Sequence, residues 1–293
     1  MSKEKEIITS KFGYKSIKYL PTQQELEEYY TKKYYQNETV QYSHKYSDDE
    51  LKYFQNSANV AHYIYSNLFK DTKYSLLDVG AGEGFFANYF LEIGCNIITL
   101  DYSSYGLEQH NPNLLKTLVQ GDIFRSLENL VKENKEFDLI NLSNVLEHVI
   151  DPIALLETLK LLLSEQSLLR ISVPNDYSHF QNFLLEKNYT TNTWLVPPDH
   201  LHYFTFESLV ALLESLNYEV TLSMGEFPIE LFLANDASNY VKKKDNGKLA
   251  HKSRVEVNNF LFDQGIEKYI NYYKASAEIG LSRQVVIFAK IKD

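Results

Sequence analysis

The 293-residue chain has a single cysteine, Cys95. That excludes an internal disulfide framework and any zinc site built from several thiolates. Cys95 opens the apolar run CNIITL, where a buried, inert thiol is the plain reading. No segment approaches about 18 uninterrupted apolar residues, so no membrane-spanning helix is expected. The N-terminal MSKEKEIITSKFGYK lacks the apolar stretch of a secretion signal, and a cytoplasmic location is expected. Basic residues are also scarce, 29 against 39 acidic ones, for a net charge of −10. A nucleic-acid backbone needs a net basic face, so no nucleic-acid partner is expected. A small anionic ligand needs only a local cluster. Internal repeats and low-complexity linkers are absent.

What is abundant is tyrosine, with 23 copies. From Tyr74 to Asn175 short β-rich runs alternate with helix-length amphipathic segments. YSLLDVG, NIITLD, TLVQGD, FDLINLS and LLRISVP read as strands, and FFANYFLEI and DPIALLETLKLLL as helices between them. Asp151-Pro152 is a helix start: Asp caps free N–H groups and Pro suits the first helical position. Such alternation predicts an α/β fold with a parallel sheet covered on both faces. A loop-rich stretch follows (Asp176–Tyr203), then a helix at 206–216 and strands at 218–224 and 284–292. The long span between those two strands reads as a helical cap, since a hairpin loop has only a few residues. The expected organisation is a helical N-terminal lid (1–70), a core (71–224), a helical insertion (225–283) and a last core strand (284–293).

The most informative stretch is LLDVGAGEGFF, Leu76–Phe86, an apolar strand running through three glycines into a helix. In open parallel sheets, ligands bind at strand carboxyl ends where chain direction reverses. The spacing is Gly80-x-Gly82-x-Gly84, with Phe85 where a dinucleotide fingerprint has its last glycine. Asp78 would repel a pyrophosphate but tolerate a ligand bearing an ammonium and a sulfonium.

On these residues the chain resembles the class I S-adenosylmethionine (SAM) dependent methyltransferases, whose seven-stranded sheet is Rossmann-like. The resemblance covers about Tyr74–Phe204, and the final strand pair fits the family's antiparallel end. It implies SAM as cofactor and S-adenosylhomocysteine (SAH) as product. It implies that Asp101, ending the second strand, bonds the ribose hydroxyls. Asp122 would accept from the adenine amino group and Ile123 would pack on the ring. Tyr102 and Asn144 are counted with this cofactor set, beside Asp78 and the glycines. FDLINLSNVLEHVIDP matches the fourth-strand motif, including Glu147-His148. Two other readings stay open: an NAD-type domain, which the missing glycine disfavours, and a SAM-binding module without turnover.

Leu142-Ser143-Asn144 lacks the [D/N]-P-P-[Y/F] of amino-methylating nucleic-acid enzymes. The E-H pair and the VPND…PPDHLHYF segment instead resemble small-molecule methyltransferases of the ubiquinone-biosynthesis-like and sugar or surface-polysaccharide branches. The expected acceptor is a sugar or nucleotide-sugar, methylated on oxygen or carbon. A quinone or other aromatic metabolite is the alternative.

Methyl transfer from sulfonium is in-line displacement, so alignment dominates, and an oxygen or carbon nucleophile must also lose a proton. Histidine titrates in the right range, which makes His148, His200 and His202 the catalytic candidates. A metal site would combine His200 and His202 with His148 or Asp199, but nothing else has ligand spacing, and no metal is expected. Packing is an equally open role for either of the last two. If VPPDHLHYF is extended, His200 and His202 point opposite ways, one into the pocket and one out. Glu147 is expected to orient a neighbour rather than react.

Tyrosines 29, 30, 34, 35, 42, 46 and 53 crowd the lid, where most should pack. Tyr35 and Tyr46 are candidates for holding a polyhydroxyl ligand. Asn175 of VPND is another substrate candidate. Lys242-Lys243-Lys244 through Arg254 is the one dense basic run, either a solvated surface or a clamp for nucleotide-sugar phosphates. Arg254 and Arg283 are the residues offered for that clamp. NYYKASAEIGL offers an apolar face for a homodimer.

Overall fold

The computed structural model describes residues 6–26, 28–29, 45–70 and 74–292. In chain order the elements are β1 (Ile7–Thr9), β2 (Lys15–Ile17), α1 (Asp48–Phe69), β3 (Ser75–Val79), α2 (Phe85–Glu92) and β4 (Asn96–Asp101). There follow α3 (Tyr105–His110), β5 (Leu118–Gln120), α4 (Ile123–Lys132), β6 (Phe137–Ser143), α5 (Pro152–Lys160) and β7 (Leu163–Pro174). The chain continues through α6 (His179–Glu186), β8 (His202–Tyr203), α7 (Phe206–Ser215), β9 (Tyr218–Gly225), α8 (Asn246–Asp263), α9 (Ile266–Glu278) and β10 (Gln284–Ile291).

The main sheet has seven strands in the order β5-β4-β3-β6-β7-β10-β9. All neighbours are parallel except β10, which runs antiparallel to both β7 and β9. That is the α/β Rossmann-like sheet with an antiparallel end expected above. One apolar layer joins the sheet to α4, α5 and α7, and the other joins it to α1, α2 and α9. The strand order reverses between the parallel neighbours β3 and β6, which opens a crevice at their carboxyl ends.

Local chemistry sets the boundaries. Ser47 and Glu50 form a capping box at the start of α1, and Asp151 accepts from the Ile153 and Ala154 N–H groups at the start of α5.

Two expectations need correction. The first 70 residues are not wholly helical: β1 and β2 pair with each other, and β2 pairs with β8, in a separate three-stranded sheet. The Asp176–Tyr203 stretch is also more ordered than a loop, since it contains α6 and β8. The insertion is helical and fastened to α1. Lys52 pairs with Asp263 at 2.7 Å, His251 with Glu50 at 3.0 Å, and Asn56 donates to Asn259 at 2.9 Å.

Candidate active site

A cavity of about 610 Å³ lies over the crevice. Its floor begins with the glycine loop, where Gly80, Gly82 and Gly84 take φ of +74°, +56° and +79°. Such left-handed values favour glycine. A Cβ on Gly80 would meet Val145 Cγ2 at 2.4 Å, and one on Gly84 would meet Leu107 Cδ2 at 2.4 Å. Among the described residues nothing lies within 4 Å of a Cβ on Gly82, whose N–H donates to Asp101 Oδ2 at 2.8 Å. The loop therefore presents bare backbone to the cavity, as close approach by a ligand requires.

Asp101 Oδ1 accepts from the Ser103 N–H at 3.0 Å. Burial raises this carboxyl's pKa, opposed by the backbone N–H groups. Tyr102 and Ile123 line the cavity beside it. Asp122 does not line it: Oδ1 caps α4 by accepting from the Arg125 N–H, and Oδ2 accepts from the Tyr102 hydroxyl at 2.5 Å. Asn144 lines the cavity in a left-handed turn with φ +52°.

Asp78, Asn141 and Arg170 lie abreast on β3, β6 and β7. Asn141 Nδ2 donates to Asp78 Oδ1 at 2.7 Å, and Arg170 Nη1 donates to Asn141 Oδ1 at 2.7 Å. Asp78 is 2% exposed, and burial pushes its pKa up to about 6 against the pull of Asn141 and Arg170. Arg170 was not singled out from sequence. Its signal was a lone cation in the apolar strand LLRISVP, because an arginine so placed must have a partner.

The three histidines separate cleanly. Only His148 lines the cavity. Its Nδ1 donates to the Asp199 carbonyl at 2.5 Å, which makes Nε2 the accepting atom of the neutral ring. Glu147 Oε1 stands 3.7 Å from that Nε2. Glu147 is 1% exposed, and among the described residues neither of its carboxylate oxygens has a hydrogen-bond partner. Burial raises its pKa, while His148 opposes the rise.

His200 lies behind His148, with ring centroids 4.9 Å apart and Asp176 Oδ2 3.8 Å from its Nδ1. Burial works against its charged form, yet Asp176 and Glu147 outweigh it and raise its pKa. His202 is structural. Its Nε2 donates to the Val149 carbonyl at 2.9 Å, so its Nδ1 accepts from Ser16 Oγ at 2.7 Å. Burial pushes its pKa down to about 4, so the ring is neutral. The expected alternation is thus altered: the two rings do have different surroundings, but neither enters the cavity. The metal grouping changes too. Donor atoms of Glu147, His148 and His200 come within 4.8 Å of one another, and His202 has no part in it.

The other substrate candidates divide. Tyr35 lies outside the described residues. Tyr46 turns to the glycine loop, where its hydroxyl donates to Glu83 Oε1 at 2.9 Å, and it does not line the cavity. Asn175 is 1% exposed and donates to the Ser282 carbonyl. Arg283 pairs with Asp176 at 2.8 Å and with Glu230 at 3.4 Å, away from the cavity lining. Arg254 does reach the cavity, together with Tyr53, Glu226 and Tyr269. Glu226 follows β9 with no motif around it, so sequence offered no cue.

Solved structures share this architecture. A SAM-dependent methyltransferase from Archaeoglobus fulgidus superposes with a TM-score of 0.51 at 21% identity, covering 88% of this chain and 99% of its own. The plantazolicin methyltransferase BpumL, crystallised with a desmethyl analogue and SAH, gives 0.53 at 16% identity, covering 92% and 99%. The 1,6-didemethyltoxoflavin-N1-methyltransferase of Burkholderia thailandensis gives 0.51 at 15% identity, covering 98% and 100%. At such identities the likeness concerns the fold. Among curated proteins no match is found. The family model described as a methyltransferase domain matches residues 42–223, more than half of the chain. The chain belongs to the methyltransferase domain family.

Proposed function

We propose that the protein is a SAM-dependent methyltransferase acting on a small polar acceptor, with a sugar or nucleotide-sugar as the preferred class. The observation that carries it is one cavity lined by both the bare glycine loop with Asp101 and the histidine His148. The loop's open face at Gly82 and the carboxylate of Asp101 suit a nucleoside, and buried Asp78 suits a cation-bearing tail. When bound, SAM supplies an electrophilic methyl group on sulfonium. His148 would take the acceptor's proton at Nε2 as the acceptor is methylated. Glu147 faces the imidazolium so formed. The Asp199 carbonyl holds the ring in the required tautomer.

Gln23, Gln284, Asn144, Ser143 and Arg254 offer a polar acceptor its partners, while Leu26, Phe54, Val149 and Ile150 give the same cavity an apolar wall that a quinone could use. On this reading residues 1–70 act as a lid, 71–224 with 284–293 as the core, and 225–283 as a cap. The test uses methyl-labelled SAM with a metabolite extract of the source cells, separated into nucleotide-sugar, lipid and protein fractions. Label in nucleotide-sugars is expected. Label confined to lipids would turn the reading to a quinone, and no transfer despite tight SAH binding would turn it to a binding module.

A further inference from the structure

The cavity has two sides that belong to two halves of the sheet. The β3–β4–β5 half supplies the glycine loop, Asp101, Tyr102 and Ile123. The β6–β7–β10–β9 half supplies His148, Arg170, Gln284 and, just past β9, Glu226. Over this second half α1 contributes Tyr53 and Ser57, α8 contributes Arg254 and α9 contributes Tyr269. A second pocket of about 20 Å³ shares Ser57, Arg170, Glu226 and Tyr269 with the first.

Charges of both signs line this half without neutralising one another. Arg170 is 3% exposed and spends two donors, Nη1 on Asn141 and Nη2 on Ser57 Oγ at 2.8 Å. Arg254 lies over the Tyr53 ring at 5.4 Å, and its Nη2 is 2.8 Å from His251 Nδ1. Its Nε is buried and, among the described residues, has no hydrogen-bond partner. Glu226 is close enough to act on Arg170 electrostatically, yet its bond to a side chain is a long one, from the Tyr53 hydroxyl at 3.4 Å. Among the described residues neither guanidinium forms an ion pair with it. Glu226 and Arg254 are half-buried, so a ligand in the cavity can reach them, and opposite charges kept only for packing would close on each other. His251 and Glu50 instead anchor Arg254 from behind, which holds its fork in place.

We infer that this half of the cavity is a seat for an anionic group, a carboxylate or a phosphate, of the methyl acceptor. Arg254 and Arg170 grip the anion, and Glu226 accepts from a neighbouring hydroxyl or ammonium on the same molecule. The assignment to the acceptor rests on the cofactor reading above. The same chemistry could be met by the amino-acid carboxylate of the cofactor itself, so the experiment separates the two.

Calorimetric titrations would compare the unaltered protein with Arg254→Gln and Arg254→Lys. SAH is titrated first, then 5′-methylthioadenosine, which lacks the amino-acid tail. Inorganic pyrophosphate and succinate are then titrated into SAH-loaded protein. The expected result is a loss of about tenfold or more in pyrophosphate or succinate affinity for R254Q. SAH affinity should be unchanged and R254K largely recovered. A loss confined to SAH, with 5′-methylthioadenosine unaffected, would give the seat to the cofactor and overturn the acceptor assignment. Equal affinity of the anions for R254Q and the unaltered protein, or no binding to either, would overturn the seat. If the unaltered protein fails to bind SAH, the cofactor reading falls instead, and the same anion comparison on unloaded protein decides the seat alone.

Discussion

His148 and His200 meet edge to face, with centroids 4.9 Å apart at 81°, and only the first reaches the cavity. The pair therefore has a working member and a supporting one. Asp176 behind His200 is itself held by Arg283 at 2.8 Å. Fixed charge thus runs from Arg283, just before β10, to the proposed base.

Replacing His148 by Ala should lower single-turnover methyl transfer by about 10²–10⁴-fold, the usual worth of a positioned base. SAH affinity, measured by calorimetry, should hold. Dialysis against a chelator should leave the unaltered protein's rate intact, because His148 Nδ1 is already spent on the Asp199 carbonyl and the proton transfer proposed for Nε2 needs no ion. A rate lost to the chelator and restored by metal would show that Glu147, His148 and His200 hold an ion.

His202 should instead govern stability. Its folded pKa, about 4, lies below the ordinary 6.5, so protonation favours the unfolded chain. The contribution is complete above pH 6.5 and drains away as pH falls toward 4, at most about 3 kcal/mol in all. Urea melts of the unaltered protein and H202A across pH 4–7 should show the variant with the flatter profile.

The glycines should part company. Gly84→Ala drives a methyl group into Leu107 and Leu114 and should cost about 2–3 kcal/mol of folding stability. Gly82→Ala meets no atom of the described residues, so it should cost only about 1 kcal/mol for its left-handed backbone. Yet its methyl group stands where the loop faces the cavity, and SAH affinity should fall more than stability does. Paired melts and titrations read both quantities.

Arg283→Ala should destabilise by about 3 kcal/mol, since it strands Asp176 and Glu230 in the interior. Affinity for a nucleotide-sugar should be spared. A selective loss of that affinity with normal melting would restore Arg283 as a clamp.

Much of this was legible in the residues. The runs NIITLD and FDLINLS coincide with β4 and β6, and DDELKYFQNSANVAHYIYSNLF with α1, because period and capping agree there. Strands β1, β2 and β8 were not legible: each has two or three residues, too few to display a period, and pairs with a distant segment. The same limit governed the site. Gly80–Gly84 and Asp101 sit on one local motif, whereas Arg170, Glu226 and Arg254 share a cavity only after three distant elements pack. His200 and His202 looked interchangeable in VPPDHLHYF, and only Ser16 and His148 told them apart.

The bond between Ser16 and His202 spans 186 positions. During synthesis, the hydroxyl of Ser16 leaves the ribosome long before the ring that will need it. The β2–β8 pairing therefore waits until most of the chain has been made, and closing so long a loop slows folding. The histidine segment beside the cavity is consequently among the last parts to settle. A fragment limited to residues 42–223 would reproduce the glycine loop yet lack both the amino-terminal strands and β10. Such a fragment would leave β7 without its neighbour and both apolar layers open along that side, so both ends of the chain are needed to complete the fold around the cavity.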